Sequence, residues 1–108
     1  MDDDSRVASL KEILEANPDD AFARYALGLE YSGAGETEAA LTEFRRLLAV
    51  HPDYTNGYFM AAQALARAQR AEEAKDMLRK GIACAERARN QHAQAEMESL
   101  LDELERGY

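Results

Sequence analysis

Apolar residues return along this chain at helical spacing, in successive short runs separated by turn residues. Val7, Leu10, Ile13 and Leu14 form one stripe of a helix that starts at Ser5 and runs to about Ala16, with Pro18 just beyond it. Asp4 or Ser5 is its expected N-cap, and the acidic run Asp2–Asp4 suits the positive end of the helix dipole. A second helix opens near Ala21, where Leu27, Gly28 and Tyr31 share a face. A third starts near Thr37 and puts Ala40, Phe44, Leu47 and Leu48 on one stripe, with Leu41 and Val50 beside it. Gly33 and Gly35 lie between these two helices and supply the positive φ of a short turn. Pro52 has no N–H and drives His51 out of helical φ/ψ, so the third helix stops there.

Glycine inside a helix costs roughly 0.5–1 kcal/mol against alanine. Gly28, held among large apolar neighbours, therefore predicts close approach by another backbone. Ala40 is the matching small residue, so the second and third helices are expected to cross tightly there.

The pattern of residues 21–54 recurs over 55–88 at a shift of 34. Leu27-Gly28 falls on Ala61-Ala62, Tyr31 on Leu65, Ala40 on Ala74, Phe44 on Leu78 and Leu47 on Gly81. The closing Pro is replaced by Glu86 and the glycine turn by Ala68–Ala71, so the fifth helix, from about Ala71, is expected to run to Ala88 without a sharp stop. The first helix matches the second half of the same unit, since Pro18 falls on Pro52, Leu10 on Phe44 and Ile13 on Leu47. A last helix over Asn90–Glu105 carries Ala93, Met97, Leu100, Leu101 and Leu104 on one side and acidic residues on the other. A stack of such units needs a terminal element of this kind, because the last unit otherwise exposes its packing face.

Leu27-Gly28, Tyr31, Gly35, Ala40, Phe44 and Pro52 stand at the spacing of a tetratricopeptide repeat, and the stretch resembles that family. The family's usual Trp near the helix start is absent, and Arg24 stands there. The resemblance implies an all-α fold, a right-handed α-α superhelix of about six antiparallel helices in one domain, 1–108. Its parts would be an N-terminal half-repeat (5–18), two repeats (21–54 and 55–88) and a C-terminal capping helix (90–106).

Composition narrows the functions. At 108 residues the length suits one domain that buries roughly 65% of its unfolded surface. The net charge of −8 disfavours nucleic acid and anionic membrane surfaces, which select basic patches, and admits basic or apolar protein partners. No apolar run is long enough to span a bilayer. The first residues are acidic and lack the apolar core of a signal peptide, so a cytoplasmic location is expected.

The chemistry-bearing residues do not converge. His51, His92 and Cys84 stand apart, without the short paired spacing of a zinc site. His92 and Glu96 at i, i+4 read as a surface pair, and Cys84 reads as a core thiol near the stripe of Leu78 and Ile82. Gly33–Gly35 follows a helix rather than a strand, unlike a phosphate-binding loop. Glu72-Glu73 and Glu103–Glu105 read as solvated helix faces. No catalytic residue, metal site or cofactor is expected.

In the family, the first helix of each repeat lines a concave groove. The resemblance places Phe22, Tyr25, Leu29, Ser32 and Gly33 there from the first repeat, and Asn56, Phe59, Gln63, Ala66 and Arg67 from the second. Members that capture a C-terminal carboxylate use Lys, Asn and Arg on these helices. Tyr25 and Leu29 stand where such Lys and Asn would, so that mode is not expected. An apolar, aromatic groove suits a peptide or helix of a partner protein. Self-association as a homodimer, through the groove or an end face, is the alternative. Burial of Phe22, Tyr25, Leu29 and Phe59 by the chain's own helices would make the groove part of the core.

Overall fold

The computed structural model describes residues 2–107, with side chains from Ser5 onward. These residues form six α-helices and no strand: α1 (Asp2–Ala16), α2 (Ala21–Gly33), α3 (Thr37–Val50), α4 (Thr55–Arg67), α5 (Ala71–Ala88) and α6 (Gln91–Glu105). The chain divides into two compact units, residues 1–51 and 52–108, with three helices each.

In the first unit α1 packs on α2 and α2 on α3. Leu10, Leu14, Ala23 and Leu27 form one apolar cluster, with Val7, Ala26 and Tyr31 packed against it. Ala40, Leu41, Phe44 and Leu47 of α3 are fully buried. Two expectations for α1 fail. The helix opens at Asp2, so Asp4 and Ser5 lie within it rather than at its cap. Ile13, assigned to the apolar stripe, is 45% exposed, because Leu10 and Leu14 already fill the face that α2 covers.

Gly28 answers to a side chain, not to a backbone. A Cβ built there would stand 2.5 Å from Phe44 Cε1 and 2.9 Å from Cδ1. The nearest approach is therefore the aromatic ring of α3 lying on the bare backbone of α2.

Arg24, at the position of the family's Trp, is tied down on two sides. Its Nη1 donates to Glu43 Oε1 of α3 at 2.8 Å, and its Nη2 donates to the Pro18 carbonyl at 2.7 Å. Both side chains of the Arg24–Glu43 pair are mostly buried. The guanidinium is thus held by charge-assisted bonds to two separate elements. Asp20 caps α2 by accepting from the Ala23 N–H at 2.8 Å. His51 leaves helical φ/ψ before Pro52, as the sequence predicts, and its Nε2 lies 2.8 Å from the Asp19 carbonyl oxygen.

In the second unit α4 packs on α5 and α5 on α6, with α4 also touching α6. Tyr58, Ala61, Ala62, Ala64 and Leu65 of α4 bury against a core that includes Ala74, Leu78, Cys84 and Ala85 of α5 and Ala93 and Met97 of α6. Cys84 is a core thiol whose Sγ lies 3.3 Å from Thr55 Oγ1. Asn90 caps α6 through its side-chain oxygen, which accepts from the Ala93 N–H at 3.1 Å.

The turns after α2, α4 and α5 share one device. After α2, Gly35 takes φ +79° and the Glu36 N–H closes on the Tyr31 carbonyl at 2.9 Å. After α4, Gln69 takes φ 64° and the Arg70 N–H closes on Leu65 at 2.9 Å. After α5, Arg89 takes φ 56° and the Asn90 N–H closes on Ala85 at 2.9 Å. Each is a left-handed C-terminal cap of the Schellman type. Gly33 is not part of this device, since it ends α2 in helical conformation. The stop after α5 is sharp, contrary to expectation, because Arg89 accepts a backbone region that glycine normally fills. A left-handed residue with a Cβ costs roughly 1–2 kcal/mol. We expect Gln69→Gly and Arg89→Gly each to stabilise the protein by about 0.5–1 kcal/mol. A urea midpoint that falls for both variants would contradict these caps.

Tyr58 carries the clearest titration effect. Its hydroxyl donates to the Pro52 carbonyl at 2.6 Å, and the ring is buried. Burial, then the nearby Cys84 and Asp53, push its pKa above the ordinary 10.0, with Arg87 acting the other way. A raised folded-state pKa means that the unfolded chain loses this proton first. The stability it contributes is whole below pH about 10 and is lost as pH rises through the folded value. Tyr58→Phe should flatten the alkaline limb of the stability curve; identical limbs in urea titrations of the two proteins would contradict this.

Candidate functional site

Helix α2 presents two different faces. Ala23, Leu27 and Gly28 are buried. Phe22, Tyr25 and Leu29, at i, i+3 and i+7, fall on the other side, where Phe22 is 71% exposed and Leu29 37% exposed. Tyr25 is half-buried, with its ring centroid 6.3 Å from that of Phe44 at an interplanar angle of 52°. These three residues line a hollow of about 400 Å³ with Arg6, Leu10, Ala26 and Glu30. Arg6 Nη1 bonds Glu30 Oε2 at 3.0 Å on its rim. The walls are otherwise aliphatic and aromatic, so the hollow can take apolar side chains and supplies little polar selectivity.

Helix α4 repeats the arrangement. Asn56 is exposed, Phe59 and Gln63 are half-buried, and Arg67 is the exposed basic residue of its last turn. Phe59 and Gln63 line a second hollow, about 560 Å³, whose other wall is α6 through His92, Ala95, Glu96, Ser99, Leu100 and Glu103. Ser32, Asn56 and Arg67 line neither hollow. Ser32 and Ala66 are half-buried and Gly33 is exposed.

The sequence missed two contributors. Arg6 and Leu10 of α1 wall the first hollow, and the α6 residues wall the second, although α6 reads as a closing helix alone. The available signal was the i, i+7 pair Glu96 and Glu103 flanking Leu100, which puts carboxylates beside an apolar residue on one face.

The remaining candidates stay apart. His92 Nε2 lies 3.6 Å from Glu96 Oε2, both on the surface. Among the described residues no group of three or more His, Cys, Asp or Glu gathers as metal ligands would. No helix is long and apolar enough to cross a membrane among those residues.

The chain resembles known proteins along most of its length. It is 28% identical over 100 residues to a TPR repeat-containing protein of Pseudomonas aeruginosa, covering 93% of this chain and 95% of that one. A tetratricopeptide repeat domain protein from Salinibacter ruber, solved by NMR, superposes with a TM-score of 0.78 at 28% identity over 85% of this chain and 93% of that one. A crystal structure of PcrH in complex with the chaperone binding region of PopD superposes with a TM-score of 0.88, over 95% of this chain and 78% of that one. At 16% identity that last likeness speaks for the fold alone. The sequence profile described as Tetratricopeptide repeat matches residues 1–60, more than half the chain and spanning α1, α2, α3 and the start of α4. With that match, and with the buried Leu27, Gly28, Ala40 and Phe44 at the family's spacing, this chain belongs to the tetratricopeptide repeat family.

Proposed function

We propose that this protein is a non-enzymatic interaction module that takes apolar segments of a partner protein against α2 in the first unit and against α4 in the second. The contact residues are Phe22, Tyr25, Leu29 and Ser32 of α2 and Asn56, Phe59, Gln63 and Arg67 of α4. The observation that carries the reading is Phe22, a phenylalanine 71% exposed at the mouth of an apolar hollow. Covering such a ring would contribute roughly 2 kcal/mol. Aromatic residues in concave sites tend to dominate binding energy. PcrH, which shares the fold, was crystallised in complex with the chaperone binding region of PopD, and that supports the class of activity. Arg67, basic and exposed at the end of α4, would contribute a contact to an acidic group of the partner.

Phe22→Ala separates binding from folding better than Tyr25→Ala does, because Tyr25 also packs on Phe44. Against peptides enriched from a displayed random library, Phe22→Ala should weaken affinity at least about tenfold while the melting temperature stays within the error of the wild type. Peptides that bind the wild type, Phe22→Ala and Phe59→Ala equally would refute the reading. The same exposed Phe22 and Leu29 would serve a second copy of this chain. Light scattering distinguishes that alternative: a concentration-dependent dimer that Phe22→Ala abolishes would favour self-association over partner capture.

A further inference from the structure

We infer that the hollow between α4 and α6 selects a basic amphipathic segment, with two cationic side chains flanking an apolar one. The inference rests on the interaction-module reading and assigns the chemistry of the partner. Helix α6 carries five carboxylates, Glu96, Glu98, Asp102, Glu103 and Glu105, and no Lys or Arg. Three of them are engaged by neighbours: Glu98 accepts from Gln94 at 3.1 Å, Asp102 meets Arg106 at 2.9 Å and Glu105 meets Arg79 at 3.5 Å. The two that line the hollow are the two left over. Glu96 meets only His92, at 3.6 Å, and Glu103 has no partner among the described residues.

Glu96 and Glu103 stand seven residues apart, so they share a face of α6 about 10.5 Å from end to end. Leu100 lies between them, and Phe59 and Gln63 form the facing wall. The hollow is therefore apolar in the middle and negative at both ends, and neither Lys nor Arg lines it. A partner helix with Lys or Arg at i and i+7 and a large apolar residue at i+3 or i+4 matches this spacing. Its apolar side chain would sit between Phe59 and Leu100 while its cations meet Glu96 and Glu103. The net charge of −8 draws the same class of partner from a distance.

The test is a displayed library of random four-turn peptides, enriched on the full chain at low salt. The expected peptides are net cationic, with basic residues seven apart around an apolar one. The double variant Glu96→Gln/Glu103→Gln should raise their Kd about tenfold at low salt, a gap that narrows at high salt. Both residues are exposed, so the variant should melt as the wild type does. Glu96→Lys/Glu103→Lys should turn the preference toward acidic peptides. Neutral or acidic peptides from the wild type, or basic ones indifferent to both double variants, would overturn the inference. If those peptides still lose affinity to Phe59→Ala, only the charge assignment falls and the interaction reading stands. If no peptide is enriched, or enriched peptides ignore both Phe22→Ala and Phe59→Ala, the interaction reading falls with it.

Discussion

Gly28→Ala is expected to destabilise this protein, although alanine is the better helix former. The helical gain from the substitution is about 0.5–1 kcal/mol. Against it stands a new Cβ 2.5 Å from Phe44 Cε1, well inside contact distance. Phe44 is completely buried, so its ring has no solvent to swing into. Overpacking of this kind costs about 1–3 kcal/mol, and Gly28→Leu should reach or pass the upper end. The net for Gly28→Ala is a loss of up to about 2.5 kcal/mol, read as a lower urea midpoint with unchanged slope. The partner of the clash is named, so the prediction has an internal control. Phe44→Leu alone loses packing, but in the double variant with Gly28→Ala the smaller side chain makes room. The two effects should therefore sum to less than the separate losses. Strict additivity, or an unchanged midpoint for Gly28→Ala, would mean that α2 and α3 do not meet as described. Ala40→Leu, also at a completely buried site, should destabilise by a similar overpacking and without rescue by Phe44→Leu.

That Gly28 mattered was legible in the sequence, and what it accommodates was not. The 3.6-residue period sorts Leu27, Gly28 and Phe44 onto buried faces, because one stripe per helix must be covered wherever the element sits. Which neighbour fills the space over a glycine depends on the offset between two helices, and periodicity within each says nothing about that. The caps at Gln69 and Arg89 were illegible for another reason. A left-handed residue is signalled by glycine only when the chain avoids the strain, and here it tolerates a cost of about 1–2 kcal/mol at each. Arg24 read as a departure from the family pattern. Its role depends on Glu43, nineteen residues away on another helix, and on the Pro18 carbonyl. The candidate contact residues show the same division. The i, i+3, i+7 placement of Phe22, Tyr25 and Leu29 followed from one helix, whereas the acidic wall beside Phe59 comes from a helix more than thirty residues further on.

The largest loss should follow removal of α6, because that helix completes the core of the second unit. Met97 is completely buried, and its Sδ stands 2.5 Å from where a Cβ of Gly81 would be. The thioether thus lies on the bare backbone of α5, a fit that only glycine at 81 allows. Deleting residues 90–108 would uncover Gly81 and the neighbouring Ile82 and Ala85, with apolar area that nothing else in the second unit can cover. We expect a truncated protein with lower solubility and a melting temperature lower by roughly 10–20 °C. The point variant Met97→Ala isolates the same contact without removing the helix. Cavity formation there should cost about 2–4 kcal/mol. Gly81→Ala supplies the counterpart, and it differs from Gly28→Ala in one respect. Its new Cβ would meet Tyr58 Cβ at 2.6 Å as well as the Met97 sulfur. The methionine chain is flexible and can yield, but Tyr58 Cβ is fixed to the backbone of α4 and cannot. Shrinking Met97 should therefore leave Gly81→Ala unrescued, whereas shrinking Phe44 rescues Gly28→Ala. A truncated chain that melts with the wild type would show that α6 does not close the second unit, and a Gly81→Ala protein restored by Met97→Ala would show that the Met97 sulfur, not Tyr58 Cβ, is what blocks the new methyl.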